Sequence, residues 1–342
     1  MTSQFANQPP RSSASPLAAL YRSEHFLDHQ TGDHPENPGR ITAIERELKR
    51  SDLLGGRPDI PFGPASPEAV ERVHDPVYLA ALHRFSEAGG GWLDGDTMLG
   101  PDSLSVALLA SGAAITAVDA ALDGQAPRGF VLARPPGHHA TPGRGMGFCI
   151  TNHIAIAAAH ALSRGLSRIL IVDWDVHHGN GTQDAFYTSD RVLYFSIHQS
   201  PLYPGTGAAS ETGEGAGRGF TINLPLPAGQ DDATYRRLLH DHLLPAARPF
   251  QPDLILISAG FDAHVADPLG GMRLTESGFA ALTTDVLALA TESAEGRVVA
   301  ILEGGYDPAA LARSVVAVLR VLDAGPETAD SRPITKETPT QP

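Results

Sequence analysis

Between Asp173 and Gly181 the chain reads Asp-Trp-Asp-Val-His-His-Gly-Asn-Gly, with acids and an imidazole at alternate positions. The run follows Ile169-Leu170-Ile171-Val172, an apolar stretch that reads as a strand buried on both faces. Side chains in an extended segment alternate sides, so Asp173, Asp175 and His177 project the same way. Open α/β sheets bind ligands where their strands end. Packing gives no reason to gather two carboxylates and an imidazole at such a place, whereas a metal ion does.

Asp175 and His177 are the expected metal ligands, and Asp262, in Ser258-Ala259-Gly260-Phe261-Asp262, is the expected third. An Asp/His/Asp set suits Zn²⁺, with Fe²⁺ or Co²⁺ as chemical alternatives. Three protein ligands leave a position for water, which marks a catalytic rather than a structural site. The rival role for Asp262 taken alone is a helix cap or Asx-turn.

The doublet His138-His139 follows Pro135-Pro136-Gly137, a rigid lead-in that fixes both imidazoles. Beside an activated water, such a pair can accept a proton and later return it to a leaving amine. Each needs a partner on its far nitrogen, and Asp173 and Asn180 are available. An acid partner favours a charged histidine and an amide partner a neutral one, so the histidine paired with asparagine is the better base. Tyr306, after Gly304-Gly305, can donate a hydrogen bond to a developing oxyanion; the alternative is a core tyrosine. The glycine-rich stretches at 143–147 and 213–219 lack the spacing of nucleotide-binding loops and read as turns. Ser196 has no adjacent base and Cys149 sits in an apolar context, so neither reads as a nucleophile.

The elements that must position these groups alternate. Apolar runs at 130–133, 169–172, 192–197, 254–257 and 298–302 read as strands. Helical patterns cover 152–163, 231–248, 275–293 and 308–322. This alternation predicts an α/β fold with a parallel sheet and helices on both faces, as a single domain over 19–325. Four of the strands hand over to polar motifs beginning at Arg134, Asp173, Ser258 and Glu303. Parallel strands would bring all four to one edge. The tails, 1–18 and 326–342, are rich in Ser, Pro and Thr and read as disordered. The loop at 22–39 carries His25, His29 and His34, expected to be solvated.

A net charge of −14 argues against a nucleic-acid-binding surface and mildly favours a cationic partner, with solubility as the bland alternative. No run approaches the ~18 consecutive apolar residues of a membrane span. The N-terminal residues lack an apolar signal core, and one cysteine excludes an internal disulfide. A cytoplasmic location is the expectation, with a homo-oligomer left open.

Arg134–Ala140 (RPPGHHA), Gly147-Phe148-Cys149, Asp173–Gln183 (DWDVHHGNGTQ), Ser258–Asp262 (SAGFD) and Glu303–Tyr306 (EGGY) resemble the zinc-dependent histone deacetylase family. The similarity runs in order from about Tyr21 to Leu322. It implies an arginase–deacetylase fold with an eight-stranded parallel sheet. It also implies Zn²⁺ on Asp175, His177 and Asp262, with His139 facing Asn180 as base and acid and His138 paired with Asp173. Tyr306 would polarise the acyl carbonyl. Gly147, Phe148 and Tyr203 would line a tunnel for the acyl-lysine stem, with Leu269 in its wall and Asp96 at its rim. The family also implies K⁺ on Asp173, Asp175, His177, Ser196 and the carbonyl of Ile197. A second monovalent site would use carbonyls around Phe186, Ser189, Val192 and Phe220. Asn180 together with Asp267–Met272 is similar to class II and bacterial amidohydrolase-like members. Leu269 stands where a polyamine-selective relative would carry Glu. The implied substrate is an acylated lysine or small acylated amine; the rivals are an acetylpolyamine amidohydrolase, a two-metal ureohydrolase and an inactive acyl-lysine binding module.

Overall fold

A computed structural model describes residues 17–325. The expected tails lie outside the described residues except for Leu17 and Ala18. Ala18 is buried, and its N–H donates to Asp323 Oδ1 at 3.0 Å.

The strands are β1 (Ala19–Tyr21), β2 (Gly91–Trp92), β3 (Met98–Leu99), β4 (Arg128–Val131), β5 (Ile169–Asp173), β6 (Val192–Gln199), β7 (Thr221–Leu226), β8 (Leu254–Ala259) and β9 (Val298–Leu302). The helices are α1 (Gly39–Arg50), α2 (Pro67–Val70), α3 (Pro76–Glu87), α4 (Ser103–Leu122), α5 (His153–Ser163), α6 (Asn180–Phe186), α7 (Asp232–Leu238), α8 (Leu244–Phe250), α9 (Glu276–Ser293) and α10 (Pro308–Ala324). β2 and β3 make a small antiparallel hairpin. The other strands form one parallel sheet, ordered β1-β4-β9-β8-β5-β6-β7.

The sheet thus has seven strands among the described residues, not the eight that the resemblance implied. Its two edges explain where pairing stops. β1 is three residues long, and β7 contains Pro225, which has no N–H to offer a further strand. The inner strands are apolar and fully buried, as expected of a sheet covered on both sides.

α4 and α5 pack together against the sheet, while α1, α10 and α9 form a second row. By length and composition α4 is apolar enough to cross a membrane, yet it is largely buried inside this domain. Its Ala-rich sequence lets it lie close to α5 and to β4. Helix starts carry local signals: Asn152 caps α5 through Ala155 N–H, and Asp307 caps α10 through Ala310 N–H. The single helix expected over 231–248 is instead α7 and α8 joined through a π-helical turn at Leu239–Leu243.

In the loop before α1, His25 is exposed as expected and His34 is half-buried, but the expectation fails at His29. His29 is buried, and Glu36 beside it is fully enclosed. Arg134 grips the Glu36 carboxylate with Nε at 2.7 Å and a second nitrogen at 3.0 Å, and Arg40 adds a contact at 3.1 Å. Burial alone would raise the Glu36 pKa, but the charge of Arg134, with His29 and Arg40 behind it, holds it well below the usual carboxylate range. Removing one partner of a buried pair leaves an uncompensated charge, so Glu36→Gln should cost about 3–5 kcal/mol of stability. The sign with pH follows from the depressed folded pKa: the contribution is present above the unfolded value near ~4.3 and is lost as pH falls. Urea midpoints of the two proteins should therefore differ at pH ~6 and converge on acidification; a constant difference would exclude the ion pair as the cause.

Candidate active site

β4, β9, β8 and β5, the four strands that end in polar motifs, are consecutive in the sheet and mutually parallel. Their C-terminal ends share one edge. β5 stops at Asp173, level with Ser258 of β8 and Ser196 of β6. Beyond it the alternation persists: Trp174 and Val176 turn into the core while Asp175 and His177 face the site.

Asp175, His177 and Asp262 each offer one ligand atom within 4.8 Å of the others, the one such group among the described residues. Backbone donors pre-aim both carboxylates. Gly304 N–H binds Asp175 Oδ2 at 2.8 Å, and Val176 N–H binds Asp262 Oδ1 at 2.8 Å. The remaining oxygens, Asp175 Oδ1 and Asp262 Oδ2, lie 3.2 and 3.1 Å from His177 Nδ1. Two buried carboxylate oxygens and a ring nitrogen aimed at one another call for a positive charge between them. A borderline divalent ion with two hard oxygens and one imidazole fits that donor set. Burial, reinforced by Asp175, raises the Asp262 pKa to about 7, the mark of carboxylates crowded without a cation. Gly304 is required here because a Cβ would stand 2.2 Å from Asp262 Oδ2.

His138 Nδ1 lies 3.1 Å from Asp173 Oδ2, and His139 Nδ1 lies 2.8 Å from Asn180 Oδ1. Asn180 Nδ2 donates to the His139 carbonyl, so Oδ1 is the acceptor and His139 Nδ1 carries the proton. That leaves Nε2 of His139 as a free base. Burial lowers the His139 pKa well below its ordinary value, and the neighbouring imidazoles of His138 and His177 push the same way. For His138 burial is outweighed by the charges of Asp175 and Asp173, which raise it to about 10. The two rings, with centroids 4.0 Å apart, are thus pushed in opposite directions.

A cavity of about 160 Å³ opens onto these groups. Phe148, Tyr203, Gly147, Leu269 and Asp96 line it together with His139, His177 and Tyr306. Phe148 stands edge-on to Tyr306 at 5.7 Å, and Tyr203 edge-on to His139 at 5.1 Å. Gly147 has φ +56°, and a Cβ there would lie 2.5 Å from the His139 ring. Burial raises the Tyr306 phenol well above its ordinary pKa, keeping it a donor. At the rim, burial and then Asp94 raise the Asp96 carboxyl. A larger groove of about 640 Å³ beside Leu20 and Ile41 holds none of the metal-ligating set.

The residues of the first implied monovalent site adjoin the metal set. Ser196 pairs with Asp173 in register, and its hydroxyl contacts His198 Nδ1 at 2.9 Å. At the second, the Phe186 carbonyl accepts Ser189 N–H, and the Phe220 carbonyl accepts Tyr194 N–H, which continues the strand of Val192.

Three further groups act here that motif spacing did not assign. Glu303 accepts Gly137 N–H at 2.6 Å and His138 N–H at 3.1 Å, so it holds the histidine loop. The signal was present, since an acid closing a buried strand needs a reason. Tyr194 donates to Asp173 Oδ2 at 3.0 Å. Arg40 donates to the Gly305 carbonyl at 2.7 Å and lies over the Tyr306 ring at 5.1 Å. Nothing local in sequence links it to a residue 265 positions away.

A parallel α/β sheet whose edge carries an Asp/His/Asp set, paired histidines and a buried phenol defines a hydrolase that acts on amide bonds. Residues 34–322 match the histone deacetylase domain, and the chain belongs to the histone deacetylase family. It is 44% identical over 292 residues to a histone deacetylase-like amidohydrolase of Pseudomonas aeruginosa, covering 84% of this chain and 77% of that one. It is 45% identical over 317 residues to a probable deacetylase of Methanothermobacter thermautotrophicus, covering 91% and 93%. The crystal structure of the HDA15 HD domain superposes with a TM-score of 0.86 at 36% identity, covering 90% of this chain and 89% of that one.

Proposed function

We propose that this protein is a zinc-dependent deacylase that hydrolyses the amide of acetyl-lysine or a similar short acylated amine. One observation carries the reading: a cavity lined by His139, His177 and Tyr306 adjoins, through His177, the metal-ligating set completed by Asp175 and Asp262. Zinc held by those three ligands would polarise the acyl carbonyl and acidify a water. The chain's own residues do the rest. Neutral His139 takes the proton as the water oxygen bonds to the acyl carbon, then delivers it to the nitrogen as the C–N bond breaks. Charged His138, anchored by Asp173, stays in place and stabilises negative charge on the reacting acyl group. Tyr306 donates to the carbonyl oxygen as that charge develops.

Phe148 and Tyr203 would flank the methylene stem of the substrate, which apolar rings accommodate and a charged wall would not. Asp96 would accept a donor from the substrate at the rim. Potassium would occupy Asp173, Asp175, His177, Ser196 and the Ile197 carbonyl, with a second ion on carbonyls around Phe186, Ser189, Val192 and Phe220.

Leu269 offers no carboxylate to a distant ammonium, which favours acyl-lysine over an acylated polyamine. A competition assay on zinc-loaded protein, with acetyl-lysine peptide against acetylspermidine, should give the larger kcat/KM for the peptide. Preference for acetylspermidine would reassign the substrate, and turnover of neither would reject a deacylase of short acylated amines.

A further inference from the structure

We infer that Asp267 is a positioning residue for the reaction: its carboxylate fixes the backbone of Tyr306 and ties it to the cavity wall at Leu269. The inference rests on the proposed role of Tyr306 as donor to the acyl oxygen. Asp267 is buried, and its two oxygens are used separately. Oδ2 accepts Tyr306 N–H at 2.6 Å and, more weakly, Asp307 N–H at 3.4 Å. Oδ1 accepts Leu269 N–H at 2.9 Å. No Lys or Arg pairs with it among the ion pairs of the described residues, so its partners are backbone donors of two functional segments.

The geometry around Tyr306 explains why such an anchor is needed. Gly305 has φ +128°, a conformation from the glycine-favoured region, so the chain enters Tyr306 through an unusual turn. It leaves through Asp307, which caps α10. Arg40 holds the Gly305 carbonyl on one side and Asp267 holds the Tyr306 amide on the other. The phenol is thus aimed by its main chain. A donor to a developing oxyanion is effective only within a few tenths of an ångström of its place, and a misplacement of ~1 Å costs about 100-fold in rate. Leu269 and Tyr306 line the same cavity, so one carboxylate sets the spacing between a wall residue and the donor that meets the substrate carbonyl.

The carboxylate is chemically required for this role. Asparagine at 267 would present an acceptor to one N–H and a donor to the other, so either Tyr306 or Leu269 would lose its bond. On zinc-loaded protein, Asp267→Asn should lower kcat about 10- to 100-fold with KM changed by less than about 3-fold. The deciding measurement is the double-mutant cycle with Tyr306→Phe. If Asp267 acts through the phenol, adding D267N to the Y306F protein should change kcat by less than about 3-fold. Full multiplication of the two effects would overturn the inference and make Asp267 merely structural, as would wild-type kcat in D267N. Should D267N fail to fold, Asp267→Ser, which keeps a single acceptor, enters the same cycle with the same criteria. Full activity of Y306F alone would instead sink the role of Tyr306, a distinguishable result.

Discussion

Stripping divalent metal from this protein with a chelator should abolish its amide hydrolysis, and zinc should restore it. The expectation comes from the buried charges. Asp175 Oδ1 and Asp262 Oδ2 face His177 Nδ1 from 3.2 and 3.1 Å, and both acids are buried. Without a cation those acids repel each other, and a proton has to stand in, as the raised pKa of Asp262 indicates. Stability gives an independent readout. A ligand that binds only the folded state at ~100 times its Kd adds about 2.7 kcal/mol, so zinc should raise the thermal midpoint of the stripped protein. Asp262→Asn should remove both the activity and that midpoint shift. Unchanged turnover after verified metal loss would refute the metal-dependent reading.

The second large effect is expected at Tyr306. Replacement by Phe keeps the ring against Phe148 and beneath Arg40 and deletes only the hydroxyl. Loss of one oxyanion donor typically costs 10²–10³ in kcat, or about 2.7–4 kcal/mol. KM should barely move, because the bond strengthens only as negative charge reaches the acyl oxygen. Burial keeps the phenol protonated over the working pH range, so the deficit should not depend on pH between ~6 and ~9. A deficit confined to KM would show that the hydroxyl merely binds substrate.

Much of this architecture was legible along the chain, for reasons that differ by element. β9 has the bounds read from its apolar run, and β5 and β8 begin where expected, because strands buried on both faces carry an uninterrupted hydrophobic signal. β1 and β7 escaped detection. Three residues give no period, and partly buried β7 with its proline looks like loop. The break of 231–248 into two helices was equally invisible, since a π turn preserves apolar periodicity on both sides. The expected eighth strand came from resemblance, and edge geometry decided against it.

Sequence alone determined which chemistry could be assembled, because residue type and alternation along an extended chain are local properties. They put Asp175 and His177 on one side of a strand end, set two histidines on a stiff lead-in, and placed a phenol after two glycines. Tertiary structure alone decided the remaining partners. It brought Arg40 over Tyr306 and set Glu303 under the histidine loop, whereas the pairs His139–Asn180 and His138–Asp173 were already implied by the resemblance. It also turned Asp267 from a loop acid into an anchor for the tyrosine main chain. Those pairings span up to hundreds of residues and depend on the order of strands in the sheet. That order is a global consequence of packing, and no window of sequence contains it.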